Sequence, residues 1–355
     1  MALAFHWHSR LNLRDFSKRI GLSTSTVSRA LNDYDDVNEE TRKKVVAAAR
    51  RLGYSADPTA RRLRSGSSDT IAFVLSQPQA QFANAFFLDM VTGINEGLAE
   101  SPYHLIVTSA KSAEDELPSF KRLVSKQRVD AIIFSRIHRV DSRIAFLQDV
   151  GLPFVTLGRN DQQQPYAFIY IDHEFMGREG CARFVALGHR RIALLNTSPH
   201  LMASEYRRRG YRLALKSAGL PFDARLVAQE DLSEDGGLRG ARKLLAQPNP
   251  PTAILCGHDL IAIGALRAIK EQGRAPGRDV AVIGSDNNPL GRFTDPPLTT
   301  FAARMQDAGR HLAEMLLALL GGTPVSELQE TWIPELLVRK SDGLPRRSLR
   351  RPSGM

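Results

Sequence analysis

From Thr70 onward the chain repeatedly sets a short apolar run against a longer helical pattern: TIAFVLS, HLIVTSA, DAIIFSR, PFVTLGR, RRIALLN, TAILCG and DVAVIGSD. Runs that stay apolar throughout, without alternation, read as strands buried on both faces. Separated by helices, they imply parallel sheets covered on each side. GLPFVTLGRND followed by IDHEFMGREGCARFVALGHRRIALLN reads as a crossing from one sheet to a second, so two lobes with a cleft between them are expected. Ligands on such sheets sit beyond the carboxyl ends of the strands. Near those ends lie Arg159, Asp172, Arg207, His258, Asp259 and Asp286. Carboxylates accept paired hydroxyls and arginine donates to them, so this set suits a hydroxyl-rich ligand. Asp172 and Asp259 are equally placed to serve only as helix caps.

Other classes of function find little support. HEFMG has no second histidine for a zinc-protease helix, GGLRGARK lacks phosphate-loop spacing, and no G-x-S-x-G elbow occurs, so no enzyme is expected. Cys181 and Cys256 lack C-x-x-C spacing and read as buried thiols, with no metal site or cofactor implied. His6 and His8 around Trp7 are too few for a metal tract. No apolar run approaches the roughly 20 residues of a membrane span, and MALAFHWHSR lacks the long apolar core of a secretory signal. A cytoplasmic protein without a membrane partner is expected. A transported-ligand receptor would need that signal and would have no use for a basic head.

Such a head is present. The formal charge of the 355 residues is +10, and residues 1–66 carry 13 Lys and Arg against 7 Asp and Glu. Residues 339–355 add 6 basic against 1 acidic side chain, leaving the middle nearly neutral. A basic head on a neutral body points to nucleic acid. The basic end, PRRSLRRPSGM, is expected to be a disordered tail from residue 339.

Helical spacing organises the head. Leu13, Phe16, Ser17 and Ile20 share one face, with Asn12 at the N-cap position and Gly21 at the stop. Ser23 can cap a second helix with Val27, Ala30 and Leu31 inward and Thr24, Ser25, Ser28 and Arg29 outward. A third begins at Asn38, buries Val45, Ala48 and Leu52, and stops at Gly53. Helix, glycine turn, short helix is the helix-turn-helix pattern, whose second helix meets base edges in the major groove. Thr24, Ser25 and Arg29 can reach bases, Arg29 bidentately to guanine, while Ser23, Ser28 and Asn32 position the backbone. Asp57 to Asp69 then reads as a hinge. Leu63, among Arg61, Arg62 and Arg64, can be a minor-groove wedge with the arginines on phosphates, or a packed linker leucine.

NLRDFSKRIGLSTSTVSRALND and VNEETRKKVVAAARRLGYSADPTARRLRSG resemble the DNA-binding head and hinge helix of the lactose-repressor/galactose-repressor family of bacterial regulators. The resemblance continues through the body to TDPPLTTF and implies an all-α helix-turn-helix head (1–56), a hinge (57–69) and an α/β two-lobed, periplasmic-binding-protein-like body with parallel sheets (70–338). It implies Thr24, Ser25 and Arg29 as base readers and Leu63 as a paired wedge that kinks the operator centre. In the body it implies Arg207 and Asp286 as effector partners and Phe87 as an aromatic against the ligand, with Phe175 and Met305 lining the pocket. His258 stands where relatives usually have asparagine, and Ser285 where an aromatic is common. SQPQAQFANAFF is longer and richer in glutamine than usual, which suits a disaccharide or glycoside. The expectation is a homodimeric regulator of carbohydrate genes, most simply a repressor. It would bind a near-palindromic double-stranded operator and be released or recruited by a sugar-like effector. A non-sugar ligand, or action as an activator, is the alternative.

Overall fold

The computed structural model describes residues 11–31, 34–54, 67–75, 85–112, 114–126, 128–161 and 165–345, which form two compact units divided at Asp69/Thr70.

In the first unit, α1 (Leu13–Ile20) starts where Asn12 Oδ1 accepts from the Asp15 amide at 2.9 Å and stops at Gly21, whose φ of 71° is left-handed. In α2 (Thr24–Leu31) the cap is Ser23, whose Oγ accepts from the Thr26 amide at 3.0 Å. Asn38 caps α3 (Glu39–Leu52) in the same way. Phe16, Val27, Ala30, Val45, Ala48, Ala49 and Tyr54 fill the core, with the Phe16 and Tyr54 rings stacked at 4.2 Å. Leu31 and Leu52 pack at its edge.

The second unit runs in chain order through β1 (Thr70–Leu75), α4 (Ala85–Leu98), β2 (His104–Ser109), α5 (Glu116–Ser125), β3 (Ala131–Ser135), α6 (Ser142–Val150), β4 (Phe154–Leu157) and β5 (Ala167–Ile171). It continues with α7 (His173–Ala186), β6 (Ile192–Asn196), α8 (Met202–Ser217), β7 (Val227–Gln229), α9 (Glu234–Leu245), β8 (Ala253–Cys256), α10 (Asp259–Glu271), β9 (Ala281–Ser285), β10 (Thr299–Ala302), α11 (Met305–Leu320), β11 (Gln329–Trp332) and β12 (Glu335–Leu337). One sheet has the order β11-β5-β4-β3-β1-β2, all parallel. The other is β12-β10-β9-β8-β6-β7, with β12 alone antiparallel. The seven strands expected from apolar runs are present, buried along their length except at β2.

The chain passes between lobes three times: after β5, after β10, and between β11 and β12. The second passage sends α11 back onto α4 of the first lobe. In the second lobe α7 and α8 lie backbone to backbone, because Gly177 and Gly210 leave room; a Cβ on Gly177 would fall 2.1 Å from the Arg207 carbonyl.

The expected disordered tail does not begin at 339. Ser341 and Asp342 are buried: Ser341 Oγ donates to Val282 O at 2.7 Å, and Asp342 Oδ1 accepts from Thr299 Oγ1 at 2.7 Å. The body therefore extends to residue 345, held by side-chain hydrogen bonds that a charge count does not reveal. Residues 346–355 lie outside the described residues.

Candidate effector cleft and DNA-reading helix

On α2, Thr24, Ser25 and Arg29 are exposed, as a reading face requires, and Ser28 is half-buried. Ser23 Oγ is spent on its cap and on the hydroxyls of Ser25 and Thr26, each 2.8 Å away. Arg29 Nη1 pairs with Asp36 Oδ2 at 2.6 Å, with the Tyr34 ring 5.9 Å from its guanidinium carbon. Asn32, Arg61, Leu63 and Arg64 lie outside the described residues.

The cleft forms at the carboxyl ends of both sheets. Ser135, Leu157 and Ile171 end β3, β4 and β5, and Arg136, Ile137, Gly158, Arg159 and His173 come just after them. The facing lobe contributes Thr197 after β6, Gly257 and His258 after β8, and Asp286 after β9. About 160 Å³ inside is open to the centres of water molecules. Of the expected residues, Phe87, Arg159, Arg207, His258, Asp286 and Met305 line it.

Asp172, Phe175 and Asp259 do not. Asp172 is the N-cap of α7, its Oδ1 accepting from the Phe175 amide at 2.8 Å. At 100° per residue that cap turns His173 and Met176 to the cleft and Phe175 away, where its ring meets Phe301 edge-on at 6.4 Å. Asp259 is fully buried one layer behind, with Oδ1 accepting from Thr300 Oγ1 at 2.6 Å and Oδ2 from the Asn288 amide at 2.7 Å. Ser285 is also behind the wall, its Oγ 3.3 Å from Met176 Sδ.

Part of the cleft wall is polar. Arg207, only 3% exposed, donates from Nη1 to Asn196 Oδ1 at 2.7 Å, while its buried Nε has no hydrogen-bond partner among the described residues. His173 Nδ1 is likewise buried without one. Opposite, His258 Nε2 meets Asp286 Oδ2 at 2.7 Å. His258 Nδ1 accepts from the Leu260 amide at 3.2 Å, so the histidine also caps α10. Burial lowers the Arg207 pKa to about 10, which leaves it charged at neutral pH. Burial, then the Arg207 charge, pushes His173 down to about 4, so its ring is neutral. Burial resists ionisation of Asp286, yet the His258 ring and then Arg207 outweigh it and hold the carboxyl below its usual value.

Beside this group Arg159 sits against the Tyr170 and Tyr206 rings, 5.0 and 5.2 Å from their centroids, and the Tyr170 ring lies in turn 6.0 Å from that of His173. Burial raises both tyrosines, keeping their hydroxyls protonated. The apolar part of the lining is Phe86, Phe87, Met90, Leu157, Met202 and Met305. The lobes are shut: the Met202 amide donates to Ile137 O at 2.9 Å, the Arg139 amide to His200 O at 3.0 Å, and Tyr206 Oη to Asp161 Oδ1 at 2.8 Å.

The sequence did not single out His173, Tyr170, Met176 or Tyr206. For His173 a signal existed in IDHEF, since the residue after a capping aspartate opens the helix beside the strand end.

Comparison with known proteins places this architecture. Residues 12–57 match bacterial regulatory proteins of the lacI family, and residues 181–341 match a periplasmic binding protein-like domain. The HTH-type transcriptional regulator AglR of Rhizobium meliloti (strain 1021) is 35% identical over 94% of both chains. The chain belongs to the LacI family. Its structure resembles a complex of the LacI-family regulator CelR with cellobiose, at TM-score 0.72 and 29% identity over 94% of this chain and 100% of that one. It also resembles the lac repressor dimer bound to operator and the anti-inducer ONPF, at TM-score 0.77 and 27% identity over 94% and 99%. As a LacI-family member the protein is a DNA-binding transcriptional regulator rather than an enzyme. No helix among the described residues is long and apolar enough to cross a membrane.

Proposed function

We propose that the protein is a cytoplasmic, homodimeric repressor that binds a near-palindromic operator and changes its operator affinity when a neutral saccharide, a disaccharide or glycoside, fills the cleft. The observation that carries this reading is the polar part of the cleft wall, where Arg207 Nε and His173 Nδ1 lie buried without partners among the described residues, beside the ionised Asp286. Buried polar atoms are costly unless bonded. A donor and a carboxylate acceptor side by side suit adjacent hydroxyls, and the apolar part of the lining suits a sugar ring face. CelR, which forms a complex with cellobiose, supports the class of ligand.

A net-charged ligand is disfavoured because the cleft's arginines have carboxylates nearby: Arg207 has Asp286, Arg136 has Glu116, and Arg159 has Asp161 at 3.9 Å. A dimer is supported by exposed apolar side chains on both lobes, among them Ile106 and Val107 on the edge strand β2 and Phe293, 85% exposed, on the second lobe. Thr24, Ser25 and Arg29 would read bases, with Ser28 and Asn32 on the backbone and Arg61, Leu63 and Arg64 at the operator centre. The saccharide must bind one arrangement of the lobes better than another, and that difference sets the change in DNA affinity.

The test is operator binding with the protein's own upstream DNA at fixed salt, titrated with mono- and disaccharides. Release by one saccharide is the expected result. Specific binding indifferent to all of them, but altered by an anionic or nitrogenous metabolite, would replace the saccharide reading.

A further inference from the structure

Asp286 and Asn287 are consecutive non-glycine residues with positive φ, 101° and 52°. L-residues avoid this region, and such a conformation persists only where its surroundings over-determine it. Here the surroundings come from three places. The Asp286 amide donates to Phe301 O at 2.8 Å and the Asn287 amide to Thr300 Oγ1 at 3.3 Å. Asp259 holds both Thr300 and the Asn288 amide from beneath. The third support is the chain's far end, where Arg339 Nη2 donates to Asn287 Oδ1 at 2.7 Å and Nη1 to Leu298 O at 2.6 Å, while its amide donates to Thr299 Oγ1 at 2.8 Å.

We infer that Arg339 is a positioning residue for the effector site: by gripping Asn287 it holds the strained turn that aims the Asp286 carboxylate at His258 and into the cleft. Arg339 does not line the cleft and touches no ligand. Its guanidinium braces two acceptors, Asn287 and Leu298, on either side of the segment between β9 and β10. A lysine, with a point charge and no fork, cannot hold both in one geometry. The strap that carries Arg339 is anchored separately, through Asp342 to Arg183 and through Gly343 O to His189 Nε2 at 2.9 Å. Anchoring and aiming can therefore be separated by mutation. The inference rests on the reading of the cleft as a saccharide site only for its binding measurement, not for its structural one.

The experiment compares full-length wild type, Arg339→Ala, Arg339→Lys and Arg183→Ala by crystal structure, thermal melting and calorimetric titration with cellobiose and a panel of other mono- and disaccharides. Arg339→Ala is expected to let Asp286 leave its left-handed φ and lose its contact with His258, and to weaken the saccharide that wild type binds by about tenfold. Arg339→Lys should fall between the two. Arg183→Ala should lower the melting temperature and leave saccharide affinity within about twofold of wild type. If Arg339→Ala does not fold, Arg339→Lys supplies the same comparison. An Asp286 turn unchanged in the Arg339 variants overturns the inference, as does equal loss of affinity in the Arg183 and Arg339 variants. If wild type binds no saccharide, the ligand class falls while the crystal structures still decide the positioning role.

Discussion

His258 holds Asp286 through one ring nitrogen and caps a helix with the other: Nε2 lies 2.7 Å from Asp286 Oδ2, and Nδ1 accepts the Leu260 amide at 3.2 Å. An accepting Nδ1 places the proton on Nε2, so the ring donates to the carboxylate. One oxygen of Asp286 is thereby committed to the protein.

Arg207→Ala should leave operator binding without ligand unchanged and abolish the saccharide response. Loss of a buried charged donor costs about 3 kcal/mol, or roughly 100-fold in affinity. Calorimetry with the saccharide that wild type binds, beside an operator titration, checks both halves. A response retained at the same concentration removes Arg207 from the site.

In the head, the Arg29–Asp36 pair is half exposed on both sides, and exposed pairs contribute at most about 1 kcal/mol. Asp36→Ala should therefore free Arg29 and strengthen binding to a scrambled duplex about two- to fivefold. Arg29→Ala should cost about 1–3 kcal/mol of discrimination at a single base pair. Fluorescence anisotropy on operator and scrambled duplexes at one salt concentration measures both. Weaker nonspecific binding in Asp36→Ala would mean that the aspartate orients Arg29 for contact.

Asp259 titrates near pH 7, raised from 3.8 first by burial and then by the Asp286 charge. Its proton is held more tightly in the folded chain than in the unfolded one. Its contribution to stability is thus most favourable below about 3.8 and is lost as pH rises through about 7. The melting temperature of wild type relative to Asp259→Asn should accordingly fall between pH 5 and pH 8. A difference that is flat over that range would show Asp259 ionised throughout.

Tyr206→Phe removes the hydroxyl that ties the second lobe to Asp161 at 2.8 Å while keeping the ring beside Arg159. One hydrogen bond of about 1 kcal/mol corresponds to a loss of about fivefold in saccharide affinity. Small-angle scattering should show a more open body in the absence of ligand. Unchanged affinity and unchanged scattering would mean that the Met202 and Arg139 amide hydrogen bonds and the Arg209–Asp161 pair at 3.6 Å close the lobes without it.

The two-lobed body was legible because most of its central strands are apolar on both faces, so TIAFVLS or DAIIFSR could hardly be anything else. Most of the strands that escaped are of a different kind: β7 and β12 have three residues each, β11, QETW, is exposed at alternate positions, and β10, TTFA, is half hydroxyl, whereas β5, AFIYI, carries the same apolar signal and went unread. Arg207, Asp286 and His258 were legible because they follow strands or a recognisable motif. Phe175 was misplaced, and His173 overlooked, for one reason: composition names the helix α7, but only the cap at Asp172 sets its phase. Ser341 and Asp342 were read as tail because burial by hydrogen bonding leaves no hydrophobic pattern.

The three passages between the lobes also fix the order in which the protein can be built. The head is complete in the chain by residue 54, but the first lobe lacks α11 and β11 until Trp332 has been synthesised, and the second lacks β12 and the Arg339 strap for a few residues longer. Neither lobe is a contiguous piece of chain, so neither can finish folding on the ribosome before nearly all of the protein has emerged. A chain cut short at any point between β1 and β11 would carry a finished DNA-reading head on a body with neither lobe complete, able to touch DNA and unable to answer a ligand.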